Sequence, residues 1–279
     1  MSSKADLHMH TTFSDGALSP YELVKKCKQR GLAIIAITDH DSVEAFPDAI
    51  SYGKEFGVEV IPGVELSATV DDKDVHILGY FIDYTNQRLL EYLHFFRIER
   101  VKRAERIVAK LNSINVPLTM ESVMERAGKG AVGRPHIASA LVDKGLTNSY
   151  QEAFEKFIGN GGPAYERKFH LTPHEAITLI SSSGGLSFLA HPGKFTSDER
   201  INQLINCGLD GIEVIHPSHS PTETTYYRGV VSEYFLLESG GSDFHGGKKN
   251  DDDLLGSYYI DEVKVNMMKH RLFSQNLSH

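Results

Sequence analysis

Apolar positions along the chain fall into two regimes. Leu32-Ala33-Ile34-Ile35-Ala36-Ile37 is an unbroken apolar run rich in β-branched residues, the pattern of a strand buried on both faces. Similar short runs occur at Val58–Val64, Asp74–Phe81, Gly185–Ala190, Gly211–Ile215 and around Phe235–Glu238. Helical stretches separate most of them: Pro20–Arg30, with Ser19 as N-cap and Gly31 as stop, Val43–Phe56, Pro173–Ser182, Asp198–Asn206 and Pro221–Tyr234. A short strand, Lys4–His10, opens the chain; a strand at Gly256–Ile260 and a helix at Val263–Phe273 close it. Strand and helix alternating at this spacing predict a parallel α/β architecture.

The middle of the chain has another period. From Asn86 to Asn115 it reads as one long helix rich in Arg, Lys and Glu, followed by helical pieces at Thr119–Ala127, Pro135–Lys144 and Tyr150–Ile158. No strand pattern intervenes, and Gly159-Asn160-Gly161-Gly162-Pro163 marks the exit. The reading is a barrel formed by residues 1–83 and 167–279, with 84–166 inserted as a helical lid domain.

Composition narrows the class. The 41% hydrophobic and 24% charged shares are those of a soluble globular protein. No apolar run approaches the ~20 residues of a membrane span, and Lys4, Asp6, His8 and His10 interrupt any signal-like core. Two cysteines, Cys27 and Cys207, are too few for a disulfide framework, so the expected setting is the cytoplasm. A net charge of -8 argues against a duplex-DNA surface, though not against a local phosphate pocket. Neither a membrane nor an obligate protein partner is called for.

The candidate chemistry lies where strands end. His8 and His10 share one face of the first strand, with Asp15 just past its turn. His40 follows the second strand, Glu65 the third, and His76 lies in the fourth. His191 ends a late strand, and Asp243 and His245 follow the last full one. Nine imidazoles and carboxylates exceed what one ion needs, since zinc takes about four ligands. Two or three divalent ions (Mn, Fe or Zn) are implied, a shared carboxylate bridging a pair as in phosphoryl displacement.

The ordered set Asp-Leu-His-Met-His-Thr, Thr-Asp-His-Asp, Gly-Val-Glu, His76, Leu-Ala-His-Pro and Gly-Ser-Asp-Phe-His resembles the PHP (polymerase and histidinol phosphatase) family. The resemblance implies a distorted, TIM-like (β/α)7 barrel with a trinuclear centre. It points to the phosphoesterase subgroup with a small all-helical insertion, which acts on nucleoside 3',5'-bisphosphates and short RNA 5' ends. It would put His8, His10, Glu65 and Asp243 on one metal, Glu65, His76 and His191 on a second, and Asp15, His40 and His245 on a third. Asp15 stands where many relatives have histidine, an oxygen ligand that favours harder ions such as manganese. Of Asp39 and Asp41, which flank His40, one could accept a ligand histidine's second N–H or simply cap the loop.

Water activated by the bridged pair would attack phosphorus in line, with Glu65 as the bridge. Arg134, before Pro135 at a helix start and in a segment that resembles the subgroup's, could clamp phosphate bidentately. His136 beside it could equally face its own helix. Of Arg167 and Lys168, Lys168 is the chosen second phosphate contact. His219, in His216-Pro217-Ser218-His219, could donate to phosphate or protonate the leaving group. Tyr165, Phe169 and Phe195 are candidate walls for a base.

The expected activity is hydrolysis of a terminal phosphate ester of a nucleotide or short oligonucleotide. A histidinol-phosphate-type or other small-metabolite phosphatase is the nearest rival. An amidohydrolase-type deaminase is another class, but such enzymes often bridge through a lysine where Glu65 stands here. A ligand-depleted structural module fits poorly with nine filled positions.

Overall fold

The computed structural model describes residues 3–70, 73–128, 130–167, 169, 171–193, 197–247 and 250–276. The chain divides into two compact units, Met1–Leu90 with Leu171–His279, and Glu91–His170.

The first unit is built on one eight-stranded mixed sheet, curved into a nearly closed barrel with helices around it. In chain order its strands are β1 (Lys4–Asp6), β2 (Leu32–Ile37), β3 (Glu59–Val70), β4 (Lys73–Tyr80), β5 (Leu186–Leu189), β6 (Gly211–Ile215), β7 (Leu237–Gly240) and β8 (Ile260–Asp261). β1, β2 and β3 pair in parallel, as do β5, β6 and β7. The Leu7 N–H donates to the Gly240 carbonyl at 3.1 Å and Met9 bridges Phe244, so the exit of β7 meets the exit of β1. Gly241 is required at that approach, because a Cβ there would stand 2.4 Å from the His8 nitrogen.

Two strands depart from the simple parallel expectation. β4 runs antiparallel to both β3 and β5, and β8 antiparallel to β1. β3 also extends beyond the expected end at Val64, because it forms a long hairpin with β4 from Gly63↔Tyr80 to Val70↔Lys73. The reversal has a functional consequence. In β4 it is the first half, carrying His76, that lies level with the C-terminal ends of the parallel strands.

The helices of this unit before the second unit are α1 (Pro20–Gln29) and α2 (Phe46–Phe56). The second unit takes most of α3 (Gln87–Ser113), then α4 (Met120–Ala127), α5 (Arg134–Asp143), α6 (Tyr150–Ala153) and a π-helical turn, Phe154–Ile158. α7 (Pro173–Ser182), α8 (Asp198–Asn206), α9 (Pro221–Glu233) and α10 (Glu262–Asn276) follow. α1, α7 and α9 begin alike, with Ser19, Thr172 or Ser220 as cap, proline next and Glu22, Glu175 or Glu223 closing a capping box.

Each unit has its own apolar core. In the first, Ile34, Ile61, Leu78, Tyr80, Phe188 and Leu237 pack together with Val265 and Met268 of α10. In the second, Ile107, Leu111, Val123, Ile137, Leu141 and Ile158 do the same. No helix among the described residues is long and apolar enough to cross a membrane.

Candidate metal centre

Glu65 is the hub. It is 1% exposed, on β3, and its two carboxylate oxygens face different imidazoles. Oε1 lies 2.7 Å from His76 Nδ1 and 3.0 Å from His191 Nε2. Oε2 lies 3.3 Å from His8 Nε2, 3.3 Å from His10 Nε2 and 3.2 Å from His40 Nδ1. Burial would raise its pKa, but His40, His76 and His8 around it hold it well below the usual carboxylate range.

Asp243 completes the group around Oε2. Its Oδ1 is 3.4 Å from His8 Nε2 and 3.1 Å from His10 Nε2. Two donors bound at ~2.0–2.1 Å to one tetrahedral ion stand ~3.3 Å apart. Each of the four imidazole–carboxylate pairs, His8 and His10 Nε2 with Glu65 Oε2 and Asp243 Oδ1, has about that spacing, and His8, His10 and Asp243 form one ligand group, so the residues fit a divalent ion. His10, Asp15, His40 and His245 form a second cluster, with His245 Nε2 3.3 Å and His40 Nε2 4.0 Å from Asp15 Oδ2. His40, Glu65 and His76 form another. All nine sequence-selected ligand candidates thus come together at one end of the barrel. His8, His10, His40 and Glu65 each fall in more than one of these groups.

The backbone is bent to achieve this. His191 and Asp243 have φ of 26° and 50°, in the left-handed region that non-glycine residues seldom occupy. Each such residue costs ~1–3 kcal/mol and persists where its surroundings impose it. Here the turn after β5 brings His191 to Glu65, and the turn after β7 brings Asp243 to His8 and His10.

A carboxylate absent from the sequence reading orients the cluster. Glu213 is buried in β6, in the otherwise apolar run Gly-Ile-Glu-Val-Ile. Its Oε1 accepts the His8 Nδ1 proton at 2.8 Å, and its Oε2 accepts the His191 backbone N–H at 2.7 Å. That places the His8 lone pair on Nε2, toward Glu65 and Asp243. The only sequence signal was a charge inside a strand-like apolar run, where an unpaired carboxylate would be costly. His245 is set likewise: its Nδ1 donates to the Asp243 carbonyl at 2.6 Å, leaving Nε2 for Asp15.

The flanking aspartates bind backbone and hydroxyl groups. Asp39 accepts from the Thr11 backbone N–H at 2.7 Å and from the hydroxyls of Thr11 and Ser14 at 2.6 and 2.5 Å. It pins the turn that carries Asp15. Asp41 accepts from the Ser67 N–H at 3.1 Å. Asp6, whose carboxyl burial pushes up to about 7, accepts from the backbone N–H groups of His8 and Ser242, joining the exits of β1 and β7.

His219 is turned away from a donor role. Its Nδ1 donates to the Val214 carbonyl at 3.0 Å, and its Nε2 accepts the Gly193 N–H at 3.2 Å. Burial pushes its pKa down, and the Gly193 N–H occupies the lone pair of Nε2. The ring braces the His191-Pro192-Gly193 turn. Its neighbour His216 is the histidine that borders the centre: Nδ1 accepts the Ser218 N–H, and the buried Nε2, without a hydrogen-bond partner, lies 3.6 Å from Asp243.

Arg134 belongs to the second unit. It starts α5, with its guanidinium 3.0 Å from the Asn160 side-chain oxygen and over the rings of Phe154 and Tyr165. His136 caps the same helix, its Nδ1 accepting the Gly133 N–H at 3.0 Å. Phe169 packs edge-on against Phe95. Lys168 and Phe195 lie outside the described residues.

The charges predict how the metal-free centre responds to pH. Burial would lower His8, His10 and His191, but the surrounding carboxylates, Glu213, Glu65 and Asp243 foremost, raise all three. Stability from those protons is complete below the unfolded value of about 6.5 and fades as pH rises through the higher folded values. Chelator-treated protein should therefore lose Tm above about pH 6.5, and added Mn2+ should restore it. A Tm that holds or climbs across that range contradicts this arrangement. His40 behaves oppositely: burial drives its pKa down to about 3, leaving a neutral imidazole available as a ligand.

The PHP domain family model matches residues 6–162. The 5'-3' exoribonuclease Rnm of Escherichia coli is 35% identical over 247 residues, covering 86% of this chain and 84% of that protein. The 3',5'-nucleoside bisphosphate phosphatase of Chromobacterium violaceum is 31% identical, covering 86% of each. Among solved structures, a protein from Bifidobacterium adolescentis described as a metal-dependent phosphoesterase superposes with a TM-score of 0.84 at 32% identity, over 96% of both chains. With Glu65 at the hub of a ligand cluster in a barrel of this kind, the chain belongs to the PHP family and is a metal-dependent phosphoric ester hydrolase.

Proposed function

We propose that the enzyme hydrolyses a terminal phosphate ester of a nucleotide, such as a nucleoside 3',5'-bisphosphate, or of a short oligonucleotide. The observation that carries the reading is Glu65, a buried carboxylate whose two oxygens face separate sets of imidazoles. That is the donor arrangement for a pair of ions sharing one bridge. Two to three divalent ions bound there, of Mn, Fe or Zn, would supply a Lewis acid for the phosphoryl oxygens and a nucleophile from water near neutral pH. The nucleotide part of the reading draws on the exoribonuclease and the bisphosphate phosphatase that the chain resembles.

The chain's own residues do the rest. His8, His10, Glu65 and Asp243 would hold one ion, Glu65, His76 and His191 a second, and Asp15, His40 and His245 a third, as the family resemblance implies. Glu213 keeps His8 in the tautomer that offers Nε2, and Asp39 fixes the turn that presents Asp15. His216, buried with Nε2 3.6 Å from Asp243, backs this group of ligands. Arg134 and Lys168 are assigned to the substrate's second phosphate on their chemistry and on the family resemblance.

A product assay tests the reading. Manganese-supplemented enzyme is given adenosine 3',5'-bisphosphate, a 5'-phosphorylated trinucleotide, histidinol phosphate and adenosine. Product from the first two should exceed that from histidinol phosphate by at least an order of magnitude. A preference for histidinol phosphate, or ammonia from adenosine, overturns it.

A further inference from the structure

Beside the His76–His191 pair the first unit has a cavity of about 270 Å³, lined by Lys73, Asp74, Val75, His76, Leu189, Ala190, His191, Pro192 and Arg200. Its origin lies in the strand lengths. β5 pairs with β4 from Leu189↔Ile77 to Leu186↔Tyr80, with one further bond from the Ala190 N–H to the His76 carbonyl, so the first residues of β4, Lys73 to Val75, run on past the end of β5. The chain turns away at His191-Pro192, and Arg200 of α8 borders the gap that is left.

Three features of the gap bear on its occupant. Two imidazoles of the metal centre, His76 and His191, form part of the wall, so whatever enters is continuous with the reacting group. Val75, Leu189, Ala190 and Pro192 give an apolar surface. Lys73 and Arg200 bring two positive charges against the single negative charge of Asp74, in a protein whose net charge is -8. Lys73 stands three residues before His76, ~10 Å along the strand at ~3.3 Å per residue. The volume lies near the lower end of the ~300–1,000 Å³ of small-molecule pockets, enough for one substrate unit rather than a strand.

We propose that this cavity is a subsite for the nucleotide beyond the scissile phosphate of an oligonucleotide. The sugar and base rest on Val75, Leu189, Ala190 and Pro192, and the next phosphate meets Lys73 and Arg200. This rests on the phosphoesterase function proposed above and deepens it, because such a subsite rewards a chain over a mononucleotide. Lys73 and Arg200 bind at a distance from the reacting atoms, so their effect belongs in KM rather than kcat.

The test compares the full-length, manganese-supplemented enzyme with Lys73→Gln/Arg200→Gln on three substrates. These are a 5'-phosphorylated trinucleotide, adenosine 3',5'-bisphosphate and p-nitrophenyl phosphate. Loss of kcat/KM on the trinucleotide should exceed the loss on the aryl phosphate by tenfold or more, mostly through KM, and should shrink as salt is raised. Equal losses on all three overturn the subsite. A loss confined to the bisphosphate also overturns it, by assigning the two cations to a mononucleotide's second phosphate. If the wild-type enzyme hydrolyses the aryl phosphate but no nucleotide, the proposed function fails and the subsite with it, an outcome separable from the other two. Lys73 is exposed, so Lys73→Gln alone, checked for an unchanged melt, carries the comparison if the double variant is less stable.

Discussion

Glu65→Gln should abolish hydrolysis almost completely while leaving the barrel folded. The substitution keeps shape and volume but removes the charge that five imidazoles surround. An amide offers one carbonyl oxygen instead of two anionic ones, so it can serve one side of the cluster but not both. Lewis-acid stabilisation of a phosphoryl group is worth several kcal/mol, and each ~1.4 kcal/mol is tenfold in rate. Loss of the bridge should therefore lower kcat on the order of 10^3-fold or more, measured at saturating Mn2+ and substrate. A variant within tenfold of wild type, with an unchanged melt, would remove Glu65 from its central place.

Glu213→Gln comes next in size, although this residue touches no substrate. One oxygen of Glu213 accepts the His8 Nδ1 proton and the other the His191 backbone N–H. A glutamine can satisfy one of these donors, but its NH2 group then faces the other, donor against donor. Either His8 loses its tautomer or the His191 turn shifts. Partners of this kind typically contribute 10–100-fold to metal affinity or activity. Titration of the metal-free variant with Mn2+ should show a loss of about that size, and excess metal should recover part of the activity. An affinity within about twofold of wild type would show that His8 needs no such support.

The sequence made the centre legible through residues whose chemistry is visible without knowing their neighbours. Histidine and aspartate at the ends of apolar runs stand out, and the alternation of runs and helices implied a barrel that would gather them. Two properties depended on pairing, which one sequence does not display. β4 reads like its parallel neighbours but lies antiparallel, so His76 reaches the centre from the start of its strand rather than the end. Glu65, expected at a strand terminus, lies inside a strand that runs on into a hairpin. Glu213 escaped notice because its role exists only once β6 places it against His8. His219 drew attention as one of two histidines in His216-Pro217-Ser218-His219; its two backbone bonds, to Val214 and Gly193, come from chain folding and leave no mark on composition. Lys73 and Arg200, 127 positions apart in the sequence, line one cavity, which pairing rather than sequence reveals.

Metal content is the most direct check. Elemental analysis of wild-type and Glu65→Gln protein, expressed and purified side by side with manganese, reads the central assignment without reference to any substrate. Two to three divalent ions per wild-type chain, retained through gel filtration, are expected, with a loss of at least one in the variant. A wild-type chain that emerges with none, or a variant that retains the full complement, would contradict it.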